Sequence, residues 1–192
     1  MNLLAVSKGF KSYEIQIVNN LGQTEFGESR FQEGFQKKEI LKDLTEIRWH
    51  FIGRIQSNKI RKIIQNFQYI HSVDSYKKLE KISIVSYEEK KNPSIFLQVK
   101  LSEDPSKGGF IPEELLNMWK EIKTLKNIDL KGLMTINPKG LSSSDNKKLF
   151  KKCRALADSL DLPDCSMGMS SDWQEAVSAG STWIRLGSLI FG

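Results

Sequence analysis

Lys8 is the residue of this sequence best placed to act as a nucleophilic amine. It directly follows an apolar run over 3–7, which predicts a buried strand. A lysine at the mouth of such a strand is partly desolvated, and desolvation favours the neutral amine that attacks an aldehyde. The alternative is a surface lysine whose aliphatic stem lies along the apolar rim while its ammonium group stays in water.

Two loops rich in glycine and serine could bind an anion. The first is Ser166-Met167-Gly168-Met169-Ser170-Ser171-Asp172, which leads into a predicted helix, and Ser171 and Gln174 have the spacing of a capping box. Gly168 allows the backbone to approach a ligand, and the amides of a helix N-terminus bind anions. Gly187 and Ser188 open a second short helix in the same way. An ordinary capped loop is the alternative for the first segment.

Arg185 lies within an otherwise apolar strand, directly before Leu186-Gly187-Ser188. A buried guanidinium needs an acceptor, which is either a ligand or a structural Asp or Glu. We favour the ligand. A lysine after the first predicted strand and an anion site after the last two suggest that the ligand is a phosphorylated aldehyde. Pyridoxal 5'-phosphate (PLP) fits both: Lys8 would hold the aldehyde carbon, and the loop amides with Ser170 and Ser188 would hold the phosphate.

The elements that must position these residues alternate along the chain. Strands are predicted over 3–7, 24–27, 48–52, 69–73, 94–99, 130–134, 164–167 and 182–186. Helices are predicted over 12–20, 29–44, 57–66, 112–125, 143–160, 172–179 and 188–191, with one more after Ser75. This pattern is typical of a parallel sheet covered by helices. Eight strands favour a closed (β/α)8 TIM barrel in one domain, 1–192, over an open doubly wound sheet. The chain ends after the eighth strand with almost no helix, so we expect one outer helix to be missing or to be supplied from elsewhere.

Composition excludes several classes of function. The 192 residues carry a net charge of +6 with only two cysteines and two histidines. A disulfide framework, a zinc site and a multi-histidine metal site are therefore not expected, and no Gly-x-Ser-x-Gly motif occurs. Without a membrane span or a signal peptide, we expect a cytoplasmic protein. The lysines, such as Lys37-Lys38 and Lys77-Lys78, indicate a solvated helical surface more than a nucleic-acid site.

Ordered motifs along nearly the whole chain resemble one family. They are Leu4-Ala5-Val6-Ser7-Lys8, Glu25-Phe26-Gly27-Glu28, Trp49-His50-Phe51-Ile52-Gly53, Gln56-Ser57-Asn58-Lys59, Ser106-Lys107-Gly108-Gly109, Gly132-Leu133-Met134, Ser166-Met167-Gly168-Met169-Ser170, and Arg185-Leu186-Gly187-Ser188-Leu189-Ile190-Phe191-Gly192. In these motifs the sequence is similar to the pyridoxal phosphate homeostasis proteins (the YggS type), which share the barrel of the N-terminal domain of alanine racemase.

The resemblance implies a role for each motif residue. Lys8 would form a Schiff base with PLP, Ser170, Gly187 and Ser188 would surround its phosphate, and Arg185 would face the pyridine nitrogen. It also implies a monomeric carrier or regulator of vitamin B6 and amino-acid balance without established catalytic turnover, whose acceptors would be PLP-dependent apo-enzymes.

The chain departs from the family pattern in two places. Ser29 stands where the family often has an asparagine, so any contact with the cofactor ring would be shorter or bridged by water. The family also carries a helix before the lysine-bearing strand, whereas this chain begins at the strand. His50 and Asn58 belong to the motifs too. His50 would stack on or bond the ring or else be a core histidine, and Asn58 is a candidate ligand or a helix cap.

Two other functions compete with a carrier. The first is a PLP-dependent amino-acid racemase, which needs a second base, usually a tyrosine from another domain or subunit. The tyrosines here, Tyr13, Tyr69, Tyr76 and Tyr87, do not fall at the C-terminal ends of predicted strands. The second is RNA binding through 56–62, a basic stretch that lacks the interleaved aromatics of such sites. The sequence favours the carrier.

Overall fold

Eight parallel strands close into a barrel in the order of the chain. The computed structural model describes residues 1–103 and 108–192. Ser106 and Lys107 of the predicted motif therefore lie outside the described residues. The strands are β1 Asn2–Val6, β2 Glu25–Glu28, β3 Arg48–Phe51, β4 Tyr69–Val73, β5 Ser94–Gln98, β6 Asp129–Met134, β7 Asp164–Ser166 and β8 Trp183–Leu186. Closure is made by β1 and β8, which pair from Asn2–Trp183 to Ala5–Leu186. The predicted (β/α)8 barrel is confirmed.

Helices cover the outside of the strands. They are α1 Ser12–Asn20, α2 Phe31–Ile40, α3 Ile60–Asn66, α4 Tyr76–Glu88, α5 Pro112–Asn117, α6 Trp119–Thr124, α7 Ser143–Ser159, α8 Trp173–Ser178 and α9 Ser188–Phe191, with a 3-10 turn at Ser57–Lys59 before α3. No helix within 1–103 and 108–192 has the length and apolar character needed to cross a membrane.

Most helix bounds agree with the periodicity, and three details differ. The helix expected over 112–125 divides at Met118, whose ψ is near 2°. The helix expected over 29–44 runs only from Phe31 to Ile40. The predicted capping box at Ser171 is wrong. Asp172 precedes α8, and its carboxylate accepts a hydrogen bond from the Met169 N–H at 2.6 Å.

Apolar side chains fill two regions. The larger core lies between strands and helices and includes Phe26, Ile70, Leu79 and Phe150. A smaller cluster contains Leu4, Phe96, Met134 and Trp183. Barrel interiors are normally filled by bulky apolar residues. This chain also buries polar side chains on its strands, among them Glu25, His50, His71, Ser166 and Arg185.

The outer face of α1 exposes a row of large apolar side chains. Tyr13, Ile17 and Leu21 follow one another at a spacing of four residues, and each is more than half exposed. β8 is followed by α9, which is only four residues long. These three residues form an exposed apolar stripe along α1 and its C-terminal end.

Candidate functional site

A cavity of about 520 Å³ opens at the C-terminal ends of the strands. It brings two cations, Lys8 and Arg185, against a wall of apolar side chains and serine hydroxyls. The other lining residues are Val6, Phe10, Ser29, Ile52, Met134, Ile136, Met169, Ser170, Ser171, Gly187 and Ser188. No carboxylate lines the cavity among the described residues, so its electrostatic character favours an anion. Six of the predicted site residues thus meet around one space: Lys8, Ser29, Ser170, Arg185, Gly187 and Ser188.

The backbone on both sides of Lys8 is held by buried and half-buried polar groups. Ser7 accepts a hydrogen bond from Lys37 Nζ through its carbonyl at 2.7 Å and donates its hydroxyl to Glu28 at 2.7 Å. The Gly9 N–H donates to Glu33 at 2.5 Å. Lys8 itself is exposed, so the predicted partial desolvation of its amine is wrong. Its strand ends at Val6, and two further residues carry the side chain beyond the packed layers.

Lys37 was expected on a solvated surface, and that expectation is also wrong. It is only 5% exposed, and its ammonium group lies 2.8 Å from Glu28 and 2.6 Å from Glu33. Burial raises the pKa of the Glu28 carboxyl, although the bonds from Lys37 and Ser7 oppose that rise. The spacing of Glu33 and Lys37 (i, i+4) was the available signal, but such pairs are usually exposed.

The loops after β7 and β8 approach each other at the predicted anion site. The Gly187 N–H donates to the Ser170 hydroxyl at 3.4 Å. The first N–H groups of a helix have no intrahelical acceptor, and those of Ser188 and Leu189 open α9. Burial raises the pKa of Asp172, while the Met169 N–H and the charge of Arg185 act against the rise.

Gly168 has a packing role rather than the predicted role of admitting a ligand. Its φ is +92°, and a Cβ added there would lie 2.5 Å from the Ala176 Cβ on α8. It is not a lining residue of the cavity. Of the two methionines in this loop, Met167 is buried in the core, whereas Met169 lines the cavity.

Arg185 is buried, and its guanidinium hydrogen bonds go to neutral oxygens. One Nη donates to the Ser166 hydroxyl and the other to the Thr135 carbonyl, both at 2.9 Å. Burial lowers the pKa of Arg185 to about 10, so it remains a cation at neutral pH. No carboxylate pairs with it within 1–103 and 108–192. The structural ion pair that was the alternative interpretation is therefore not observed there.

The structure does not bring His50 and Asn58 to the cavity. His50 is fully buried, and both of its ring nitrogens are bonded to other side chains, Glu25 and His71. Its side chain lies in the barrel interior and is not among the residues that line the cavity. Asn58 is exposed on the 3-10 turn before α3. The core-histidine interpretation of His50 agrees with the structure.

The fold and the cavity together define a class of protein: a (β/α)8 barrel with a lysine after β1 and glycine- and serine-rich loops after β7 and β8 that line one cavity. Residues 2–192 match the family described as "Alanine racemase, N-terminal domain". Pyridoxal phosphate homeostasis proteins of Synechocystis sp. and Pseudomonas aeruginosa are 43% and 38% identical to the whole chain, which covers 91% and 84% of their lengths. The chain belongs to the pyridoxal phosphate homeostasis protein family, as its motifs predicted.

Solved structures agree with this assignment. PipY of Synechococcus elongatus with PLP bound superimposes with a TM-score of 0.97 at 39% identity, over 100% of this chain and 92% of that one. Alanine racemase of Clostridium difficile shares the fold, with a TM-score of 0.81 at 18% identity over 52% of that chain.

Proposed function

We propose that this protein binds PLP in the cavity between Lys8 and the β7 and β8 loops, and that it serves PLP homeostasis as a carrier. The observation that carries the proposal is the convergence of Lys8, Ser170, Arg185 and Ser188 on one cavity that no described carboxylate lines. The relatives named above and the PLP-bound PipY structure support it.

The residues present fit each part of the cofactor. Ser170, Ser188 and the amides that open α9 supply hydrogen-bond donors for a phosphate. Apolar side chains such as Ile52 and Met134 provide a wall for a planar ring. The aldehyde of PLP condenses reversibly with a primary amine and releases water, and among the described residues Lys8 is the lysine that lines this cavity. Ser29 also lines the cavity, and we expect it to contact the ring directly or through a water molecule.

Arg185 favours a protein that holds PLP over an enzyme that uses PLP for catalysis. A guanidinium only donates hydrogen bonds, so a pyridine nitrogen facing it acts as an acceptor and stays unprotonated. An unprotonated pyridine is a poor electron sink, which disfavours transamination and decarboxylation. A racemase would also need a second base, and no tyrosine is among the described residues that line the cavity. We therefore place racemase-like proton exchange as the weaker alternative.

We further propose that the carrier is a cytoplasmic monomer that releases PLP to PLP-dependent apo-enzymes. The cavity is open at the barrel mouth, which suits transfer of a ligand. Cys153 and Cys165 lie as free thiols in the core, which suits a reducing compartment.

The test is the visible absorption of the purified protein mixed with PLP. We expect a band of the lysine-bound cofactor in the unmodified protein, and borohydride should fix the cofactor on Lys8 alone. Lys8→Ala should lose both, with its circular dichroism unchanged, because the side chain lies outside the packed layers. Lys59→Ala is the matched control, since it removes another lysine at the same end of the barrel. An unchanged spectrum in Lys8→Ala would refute the proposed site.

A further inference from the structure

A continuous line of hydrogen bonds crosses the barrel interior and ends at Arg185. His50 Nε2 lies 2.7 Å from Glu25 Oε2, and His50 Nδ1 lies 2.9 Å from His71 Nε2. His71 Nδ1 lies 2.8 Å from the Ser166 hydroxyl, which accepts from Arg185 at 2.9 Å. His71 is on β4 and Ser166 on β7, which are not neighbours in the sheet, so their bond spans the interior. We call Glu25, His50, His71 and Ser166 the barrel relay.

Aromatic rings surround the two histidines. Tyr69 stacks on His50 with ring centroids 4.2 Å apart, and Phe96 stacks on His71 at 4.3 Å. Trp183 packs against both imidazoles, at 5.2 and 6.1 Å. Both histidines are fully buried. In such surroundings an unpaired polar atom is costly, so each ring nitrogen depends on its partner in the relay.

The chemistry of the partners gives the relay one direction. A carboxylate only accepts, so His50 must donate from Nε2 to Glu25. A neutral His50 then accepts at Nδ1, which requires His71 to donate from Nε2. The remaining nitrogen of His71 accepts from the Ser166 hydroxyl, whose oxygen accepts from Arg185. Every donor therefore points from Arg185 toward Glu25.

Burial, more than the nearby charges, keeps the histidines of the relay neutral. Burial lowers the pKa of His50, although Glu25 opposes the change. Burial lowers the pKa of His71 further, and the charge of Arg185 acts in the same direction. Burial alone would raise the pKa of Glu25, but His50 and Arg48 prevail and hold it below its usual range. The charged and titratable groups that face the imidazoles are thus Glu25, Arg48, Tyr69 and Arg185.

We propose that the barrel relay is a positioning device, in which Glu25, His50, His71 and Ser166 hold the guanidinium of Arg185 in place at the wall of the cavity. Two of the five N–H groups of Arg185 are used by Ser166 and Thr135, which fixes the plane of the guanidinium and leaves others for a ligand. The relay also connects this buried cation to a carboxylate at the other end of the strands. A substitution of Glu25 would therefore alter the position of the Arg185 guanidinium at the cavity, although Glu25 does not line the cavity.

The direction of the relay can be measured without any ligand. The chain has only two histidines, so a long-range ¹⁵N–¹H NMR spectrum of the ligand-free protein shows four ring nitrogens. We expect both histidines as neutral Nε2–H tautomers at pH 7 to 8, assigned with a His71→Gln sample. An Nδ1–H tautomer at either residue, or an imidazolium at pH 7, would overturn the proposal.

A second measurement rests on the proposed function, because it follows the dissociation constant of PLP. Ser166→Ala removes the acceptor of Arg185 and should weaken binding about tenfold or more, as expected for a bond to a charged group. Glu25→Gln should weaken it about two- to thirtyfold, the range for residues that act on a distant site. Glu88→Gln is the matched control, since it also removes a carboxylate paired with an arginine, Arg61, and should leave binding unchanged.

The outcomes separate the two proposals. Failure of the unmodified protein to bind PLP would remove the proposed function, while the tautomers would still test the relay. Normal binding in both Glu25→Gln and Ser166→Ala, with unchanged circular dichroism, would show that the relay is structural only and overturn the positioning role.

Discussion

Replacing Lys37 with methionine tests whether the segment that carries Lys8 depends on a buried charge. Methionine keeps most of the aliphatic stem but removes the ammonium group that bonds to Ser7, Glu28 and Glu33. Glu28 is fully buried, and its Oε2 has no hydrogen-bond partner among the described residues. Lys37→Met therefore leaves a buried carboxylate without its cation.

The expected loss is about 3–5 kcal/mol of unfolding free energy, as for other buried pairs broken on one side. Native proteins have unfolding free energies of about 5–15 kcal/mol, so this loss would be a large fraction of the total. The double variant Lys37→Met/Glu28→Gln should recover much of the loss, because no charge is then left buried. Arg61→Met is the control: it breaks an exposed pair with Glu88 and Glu89 and should change little.

The dependence on pH identifies the cause. Burial already raises the pKa of Glu28 above its ordinary value of 4.5, and without Lys37 it rises further. A carboxyl whose pKa is raised by folding is protonated at low pH, where it does not destabilise the protein. As pH rises, the carboxyl ionises in its buried site and the free energy of unfolding falls. The deficit of Lys37→Met should therefore grow from pH 5 to pH 8 in urea unfolding. A midpoint equal to that of Arg61→Met, at both pH values, would refute the argument.

Two further predictions concern stability. Folding lowers the pKa of His50 and His71, so the unfolded chain binds their protons first as pH falls below about 6.5. Unfolding free energy should then fall by up to about 1.4 kcal/mol per pH unit for each histidine, and His71→Gln should show a shallower slope; an equal slope would contradict the buried neutral state. Gly168→Ala must place a Cβ 2.5 Å from the Ala176 Cβ and also adopt a φ of +92°. Gly140→Ala has no such contact, and only the strain of its φ of +81° destabilises it. The first should lower the urea midpoint clearly more than the second, and equal losses would count against the close contact.

The sequence by itself determined the order of the elements and the residues at the strand ends. Apolar runs and helical periodicity are local signals, and they predicted α1 and β4 at their observed bounds. The rule that parallel barrel strands present their C-terminal ends at one mouth then placed Lys8, Ser170 and Arg185 together. These inferences needed only neighbours in the chain and one general property of the fold.

Only the tertiary structure decided which polar residues are buried and with whom. Closing the barrel brings Ser166 to His71 across 95 residues of chain, and no local pattern marks that pair. The same holds for Lys37, which has the sequence surroundings of a surface lysine but contacts Ser7, just after β1, and Glu28 on β2. A buried charge is tolerated where distant acceptors converge on it, and that convergence is a property of the closed barrel rather than of any segment.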